Sequence, residues 1–321
     1  MKGAATRCKP HSGPSLRNRI MTKLSVLITA FREATTVGQA IEAFLPQLSA
    51  YSADTQETEI LVVCPDPETT VVVDDYAARH PLVRHVADAQ RGKPAAINAG
   101  LIAARGEIIV LSDGDVLVAE DALAPLLAPF ADPQVGAVSG HPISANPRDT
   151  LLGYWSHMLV DSVHQMRLAR DQASQFLFGS GYLFALRRSL LDHIPEDALA
   201  EDAVISHHVA NLGYRIRYAP QARVFVKYPT TYRDWLRQKV RSAGGHAQDY
   251  VRRYPQHMRS AWLEILHGTQ LAFRYPRSPR ELLWTLLLFP ARLHLWLLVF
   301  INVRLLRRPL EELWQRVETT K

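Results

Sequence analysis

The stretch Glu107-Ile-Ile-Val-Leu-Ser-Asp-Gly-Asp-Val116 decides the reading of this chain. Its first part, Glu107–Ser112, is a β-branched apolar run that predicts a strand buried on both faces. Its second part places Asp113 and Asp115 just past the strand end, with one glycine between them. Two carboxylates so spaced can face one hard cation, and oxygen ligands suit Mg²⁺ or Mn²⁺. The same tripeptide is ordinary turn chemistry, so its meaning depends on its surroundings.

Similar runs flank it. Leu24–Ala30, Glu59–Cys64, Val83–Ala87 and Val135–His141 also read as strands. Between them, Thr35–Leu48, Glu68–His80, Ala95–Ala104 and Asp121–Phe130 read as helices, the first carrying Val37, Ile41, Phe44, Leu45 and Leu48 on one face. This alternation predicts an α/β fold with a mostly parallel sheet covered on both faces. Ligands of such sheets bind beyond the carboxyl ends of the strands. That rule points to Thr29–Glu33, Pro65–Asp66 and Asp113–Asp115. Downstream, Pro142–Pro147 reads as a loop, Leu151–Gln175 as a long helix and Phe178–Tyr182 as a glycine turn. Glu201–Leu212 reads as a helix stopped by Gly213, and Tyr232–Tyr254 as a basic helix interrupted near Gly244–Gly245.

The chain has 321 residues, enough for one α/β core and a smaller appendage. With 47% apolar and 21% charged residues it can bury a sizeable core. The formal charge is +6. The basic residues of the C-terminal half stand beside apolar runs, as Arg304, Arg307 and Arg308 do after Leu282–Val303, which favours lipid or phosphates over nucleic acid. The two cysteines, Cys8 and Cys64, imply no disulfide framework and suit a reducing cytosol. Residues 1–21 read as a flexible basic tail without the apolar core of a secretory signal, and Met21 is an alternative start. Residues 22–255 form the expected main domain, and 256–321 a helical C-terminal region. The apolar segment Leu282–Val303 is long enough to span a bilayer but holds Pro290, Arg292 and His294. A central Arg costs roughly 2.5 kcal/mol or more on insertion. A membrane-embedded or interfacial helix is therefore expected in preference to a clean span.

Other residues complete a constellation. Lys93, in Arg91-Gly92-Lys93-Pro94 before a helix carrying Asn98, can meet phosphate with its charge and the helix dipole. Glu201 and Asp202 open a helix whose dipole favours an ionised carboxylate, as a general base requires; capping would place acidic residues there too. Gln238 and Arg241 share a helix face and can close over a diphosphate. His207 and His208 are expected on the exposed part of the helix after Asp202. No G-x-G-x-x-G follows the first strand, which argues against a dinucleotide-dependent oxidoreductase. The basic glycine-rich loop of sugar nucleotidyltransferases is missing too. A non-catalytic, membrane-peripheral binding protein would be expected to lose Asp113, Asp115 and Asp202, and all three are present.

In their order, TAFREA (Thr29–Ala34), RGKPAAINAGL (Arg91–Leu101), VLSDGDV (Val110–Val116), FGSGYLFALRRSLL (Phe178–Leu191), EDAVISHHVANLGYRIRY (Glu201–Tyr218) and QKVRS (Gln238–Ser242) resemble the inverting glycosyltransferase family 2 of GT-A fold. The nearest branch is that of ceramide glucosyltransferase and the cellulose, chitin and hyaluronan synthases. The resemblance implies that Thr29, Phe31 and Glu33 border a nucleoside, that Asp66 meets the base or ribose, and that Lys93 and Asn98 lie near donor phosphates and ribose. It implies that Asp113 binds the nucleotide-sugar side, that Asp115 with Asp113 holds Mg²⁺ or Mn²⁺, and that Asp202 is the catalytic base. Gln238 and Arg241 would cover the diphosphate. Gly179, Ser180, Gly181 and Glu201 would lie on the acceptor side, where glycine lets backbone approach closely. The implied donor is a UDP- or GDP-sugar, and the implied acceptor a lipid-linked or glycan hydroxyl at the cytoplasmic side of a membrane. Two departures stand out. Cys64-Pro65-Asp66-Pro67 replaces the usual acidic pair, and Ser242 replaces a terminal Trp that stacks on acceptor sugar in processive synthases. The second favours transfer of a single sugar.

Overall fold

The computed structural model describes residues 23–51, 57–248, 273–301 and 320. One eight-stranded sheet, ordered β3-β2-β1-β4-β7-β6-β8-β5, organises the chain. Its strands are β1 (Leu24–Thr29), β2 (Thr58–Val63), β3 (Val83–Val86), β4 (Ile108–Asp113), β5 (Leu117–Val118), β6 (Val135–Ser144), β7 (Leu183–Arg187) and β8 (Arg215–Val226). The helices are α1 (Val37–Tyr51), α2 (Pro67–Arg79), α3 (Lys93–Ala103), α4 (Leu123–Leu127), α5 (Leu151–Gln172), α6 (Glu201–Asn211), α7 (Tyr232–Ala247) and α8 (Pro279–Val299).

All six residues of β1 and of β2 are buried because helices cover both faces. Val26 and Ile28 point toward α1, where Val37, Ile41, Phe44 and Leu48 repeat at helical spacing. Leu27 points the other way, onto Ala96, Ile97 and Leu101 of α3. Full burial of one such side chain is worth about 1.5–3 kcal/mol, so these central strands anchor the sheet. β3, on the edge, buries Val83 alone. The parallel pairs of β1 with β2 and with β4 set Thr29 level with both Val63 and Asp113. The carboxyl ends of three strands thereby meet on one rim.

Six strands run in one direction and two, β7 and β5, run against them, so the mostly parallel α/β expectation holds with an antiparallel insertion. β7 and β8 were not among the expected strands. Arginines and Pro220 interrupt the apolar pattern of β8, which β6 nevertheless pairs in parallel through two register shifts. Pro142–Ser144, expected in a loop, continues β6 for the same reason. The expected break at Gly244–Gly245 is not observed, since α7 runs through both glycines.

A third layer packs α5 against α7 and α8, burying Leu152, Tyr154, Trp155, Met158, Trp235, Leu288 and Ala291 together. The Tyr154 and Thr285 hydroxyls lie 2.6 Å apart, and the Trp155 indole donates to the Trp284 carbonyl at 2.7 Å. Arg148 pairs with Glu281 at 3.0 Å. The opposite side of α8 is open, with Leu293 72% and Trp296 53% exposed. The basic tail 1–21, Met21, Cys8, the 255/256 boundary, Val303 and Arg304, Arg307 and Arg308 lie outside the described residues.

Candidate functional site

Lys93 stands at the centre of the carboxyl-end rim. Gly92 precedes it with φ +101°, a backbone that favours glycine, and this turn delivers Lys93 to the first residue of α3. The Lys93 ammonium pairs with Asp113 Oδ1 at 2.7 Å and with Glu201 Oε1 at 2.8 Å. One side chain thus joins the end of β4 to the start of α6. The Thr29 hydroxyl donates to Asp113 Oδ1 at 3.1 Å. Burial works against the Lys93 charge, but Asp113 and Glu201 outweigh it and hold its pKa well above the usual value. Burial alone would raise Glu201; the charge and hydrogen bond of Lys93, with Arg241, carry it below the ordinary carboxylate value.

Asp202 differs. Burial and the neighbouring Glu201 charge push its pKa up, against Lys93, the Ala203 amide and Arg167. The helix is capped at Ala200, whose side chain makes no capping bond. Asp202 Oδ1 accepts from the Ala203 amide at 2.8 Å and Oδ2 from the Gly181 amide at 3.3 Å. Glu201 and Asp202 are therefore adjacent carboxylates in unequal environments, the arrangement that separates acid–base roles.

The Asp113–Asp115 loop is closely fitted. A Cβ on Gly114 would come within 2.6 Å of Glu33 Oε2 and 2.8 Å of Ala30 Cβ, so the loop after β1 lies directly against it. Glu33 donates its amide to Thr69 Oγ1 at 2.9 Å. Asp115 is half-buried, and its charge, with that of Asp113, acts on the Tyr182 hydroxyl. Among the described residues, no three His, Cys, Asp or Glu side chains are grouped to hold a metal. Two carboxylates on one tight loop fit Mg²⁺ or Mn²⁺ whose remaining ligands come from a diphosphate and water.

Other expected residues fall in several places. Arg241 is half-buried on α7, and its charge acts on Glu201 and on Tyr182. Gln238 is half-buried one turn earlier. Phe31 is half-buried under the Arg32 guanidinium, 5.3 Å from its ring centre. Asp66 has a supporting task. It caps α2 by accepting from the Thr69 amide and hydroxyl, and it accepts the Arg32 amide at 2.7 Å. Burial opposes its ionisation, but these hydrogen bonds hold its pKa below the usual value. Asn98 is correspondingly engaged: its carboxamide exchanges two 2.8 Å bonds with the Ile194 backbone. Of the glycine turn, Gly181 alone faces Glu201, Lys93 and Asp202. Gly179 packs on the Phe184 ring and Ser180 is buried.

Two features escaped the sequence reading. His207 is fully buried against the Phe176 and Phe178 rings, not on an exposed helix face. Arg167, an arginine on α5, is also buried. Its only sequence signal is a charge within the apolar spacing of a long helix.

The family model of glycosyltransferase-like family 2 matches residues 22–245. The chain is 28% identical over 235 residues to a probable glycosyltransferase, YdaM, of Bacillus subtilis, covering 70% of this chain and 56% of that protein. It is 26% identical to a poly-β-1,6-N-acetyl-D-glucosamine synthase of Staphylococcus epidermidis, with 70% and 54% covered. The chain thus spans a little over half the length of these curated relatives. Among solved structures it resembles the mannosyltransferase PcManGT of Pyrobaculum calidifontis, crystallised with GDP-Man and Mn²⁺. There the TM-score is 0.59 and the identity 25%, covering 91% of this chain and 82% of that one. The fold is GT-A.

Proposed function

The chain belongs to glycosyltransferase-like family 2, and from that premise we propose that it transfers a single sugar, with inversion, from a UDP- or GDP-sugar to a hydroxyl acceptor. The observation that carries the reading is the Lys93 bridge, which brings the Asp113–Asp115 loop and the Glu201–Asp202 helix start to one point. Thr29, Phe31 and Glu33 border the nucleoside, with Asp66 shaping that edge through the Arg32 amide. Asp113 and Asp115 hold Mg²⁺ or Mn²⁺. When bound, the ion supplies Lewis-acid charge for the diphosphate.

The acceptor hydroxyl attacks the anomeric carbon opposite the departing diphosphate, and Asp202 takes its proton. The raised pKa of Asp202 makes it a stronger base than an exposed aspartate. Lys93 and Arg241 offset charge on the leaving oxygen, and Lys93 must exchange part of its hold on Asp113 for the diphosphate. Gly181 leaves room beside Asp202 for the acceptor. Ser242, exposed on α7, offers no aromatic platform for a growing glycan, which favours single transfer. The acceptor is lipid-linked or a glycan, at the cytoplasmic side of a membrane.

α8 supports that location. The most apolar 18-residue stretch of this 21-residue helix has a mean hydropathy of 1.7, and its inner stripe is committed to α5 and α7. Arg274, Arg277 and Arg280 are exposed at its start and suit anionic headgroups. The helix lies in one leaflet with its outer face down.

The test is a screen of UDP- and GDP-sugars with Mn²⁺, Mg²⁺ or EDTA, following nucleoside diphosphate release. Release from one donor class, lost in EDTA, is expected. No release from any donor would overturn the transferase reading, and equal release in EDTA would overturn the metal role.

A further inference from the structure

We propose that Arg167 is a positioning residue for Asp202, clamping the Phe178–Gly181 segment against the start of α6. The inference rests on the reading of Asp202 as the base. Arg167 sits on α5, 8% exposed, and points its guanidinium at this segment. Nε donates to the Phe178 carbonyl at 3.1 Å and Nη2 to the Gly179 carbonyl at 3.0 Å.

The amides of the same segment face the other way. Gly179 N–H donates to Ser206 Oγ at 2.9 Å, and the Ser206 hydroxyl donates to the Asp202 carbonyl at 2.6 Å. Gly181 N–H donates to the Asp202 carboxylate. The segment therefore lies between α5 and α6, with carbonyls held by Arg167 and amides turned to Asp202 and its own helix. A planar guanidinium fixes two carbonyls at once, which an ammonium cannot do in the same geometry. Loss of Arg167 frees the turn that orients one carboxylate oxygen.

The charge acts as well as the fork. Arg167 favours the ionised form of Asp202 against burial and Glu201. Its removal should therefore disturb both geometry and protonation, and the two separate by substitution. Arg167→Met removes both, whereas Arg167→Lys keeps the charge and loses the fork.

The experiment compares the full chain with Arg167→Met, Arg167→Lys and Asp202→Asn. Turnover is nucleoside diphosphate release from UDP- and GDP-sugars with Mn²⁺ across pH. Binding is the Kd of UDP and GDP with Mn²⁺, and folding is followed by thermal melts. For Arg167→Met the expectation is a loss of about tenfold or more in turnover, since small misplacement of a reacting group is costly. The acidic limb of the rate profile should move to higher pH, with Kd within about twofold of the parent. Arg167→Lys should keep the parent's limb and recover only part of the rate. If the Met variant does not fold, the Lys variant decides: a parental rate overturns the proposal, and a reduced rate with a parental limb and Kd supports it. Turnover of folded Arg167→Met within about threefold of the parent, or a loss equal at every pH, would overturn the proposal. Undiminished turnover of Asp202→Asn would instead remove the reading on which it rests.

Discussion

Replacing Lys93 by Met tests the electrostatic design of the rim. The thioether keeps the length of the side chain and removes the ammonium that joins Asp113 and Glu201. Breaking a buried ion pair from one side costs about 3–5 kcal/mol, because the remaining charge is left uncompensated. Here the Lys93 side chain is 29% exposed, with Asp113 at 17% and Glu201 at 15%, so water recovers part of that cost. A destabilisation of about 2–3 kcal/mol follows. For a domain of this size it lowers Tm by roughly 4–12 °C. Glu201 is depressed on folding, so its contribution is present above its ordinary value of 4.5 and lost as pH falls through the folded value. Lys93 is raised, so its contribution is present below 10.5 and lost as pH rises through its folded value. The difference between parent and Lys93→Met should therefore be flat from about pH 5 to 10 and shrink on either side. Urea unfolding of both proteins at several pH values measures it. A difference under about 0.5 kcal/mol at pH 7 would refute the reasoning.

Two further outcomes are expected. The His141 and His164 rings stack with centroids 4.0 Å apart, and both pKa values lie below 6.5. Burial is the main cause in each, with the His164 charge acting on His141 and Arg167 on both, while Asp161 opposes. The folded state thus binds fewer protons than the unfolded one, so stability is complete above pH 6.5 and falls as pH drops below it, by at most about 1.4 kcal/mol per pH unit for each ring. His141→Gln should flatten that acid loss in urea titrations, and an unchanged slope would count against it. On α8, the double change Leu286→Glu and Leu293→Glu should abolish flotation with phosphatidylglycerol vesicles without lowering Tm, since both side chains point outward; retained flotation would exclude this face as the anchor.

The half of the sheet made from β1 to β4 is legible because each strand is a short apolar run set between helices of clear period. β8 is hidden because it lies toward the sheet edge, where alternate residues such as Arg217, Gln221 and Arg223 can meet solvent and blur the strand signal. The candidate site is most legible where surroundings add to residue type, as at Asp113 and Asp115, which alone read as a turn but directly follow a buried strand. It is less so where several uses compete. Asp66 and Asn98 look like ligand contacts, yet tertiary structure assigns their polar atoms to backbone groups of Arg32 and Ile194. Lys93 was expected near phosphate from its helix N-terminus, but its ion pair with Glu201 joins positions more than a hundred residues apart, which no local pattern encodes. His207 was misplaced because α6 is buried on more sides than a surface helix, from Ala203 through His207.

The proposed transfer turns on Asp202 taking the proton of the acceptor. The direct measurement pairs the turnover of Asp202→Asn, as nucleoside diphosphate release with Mn²⁺, with its Kd for the same nucleoside diphosphate. Asparagine keeps the shape of the side chain and can still accept one of the two amides that Asp202 accepts, Gly181 or Ala203, but it cannot take a proton. The expected result is a loss in kcat of about 10²–10⁴-fold or more with Kd nearly unchanged. Turnover within a few-fold of the parent would contradict it.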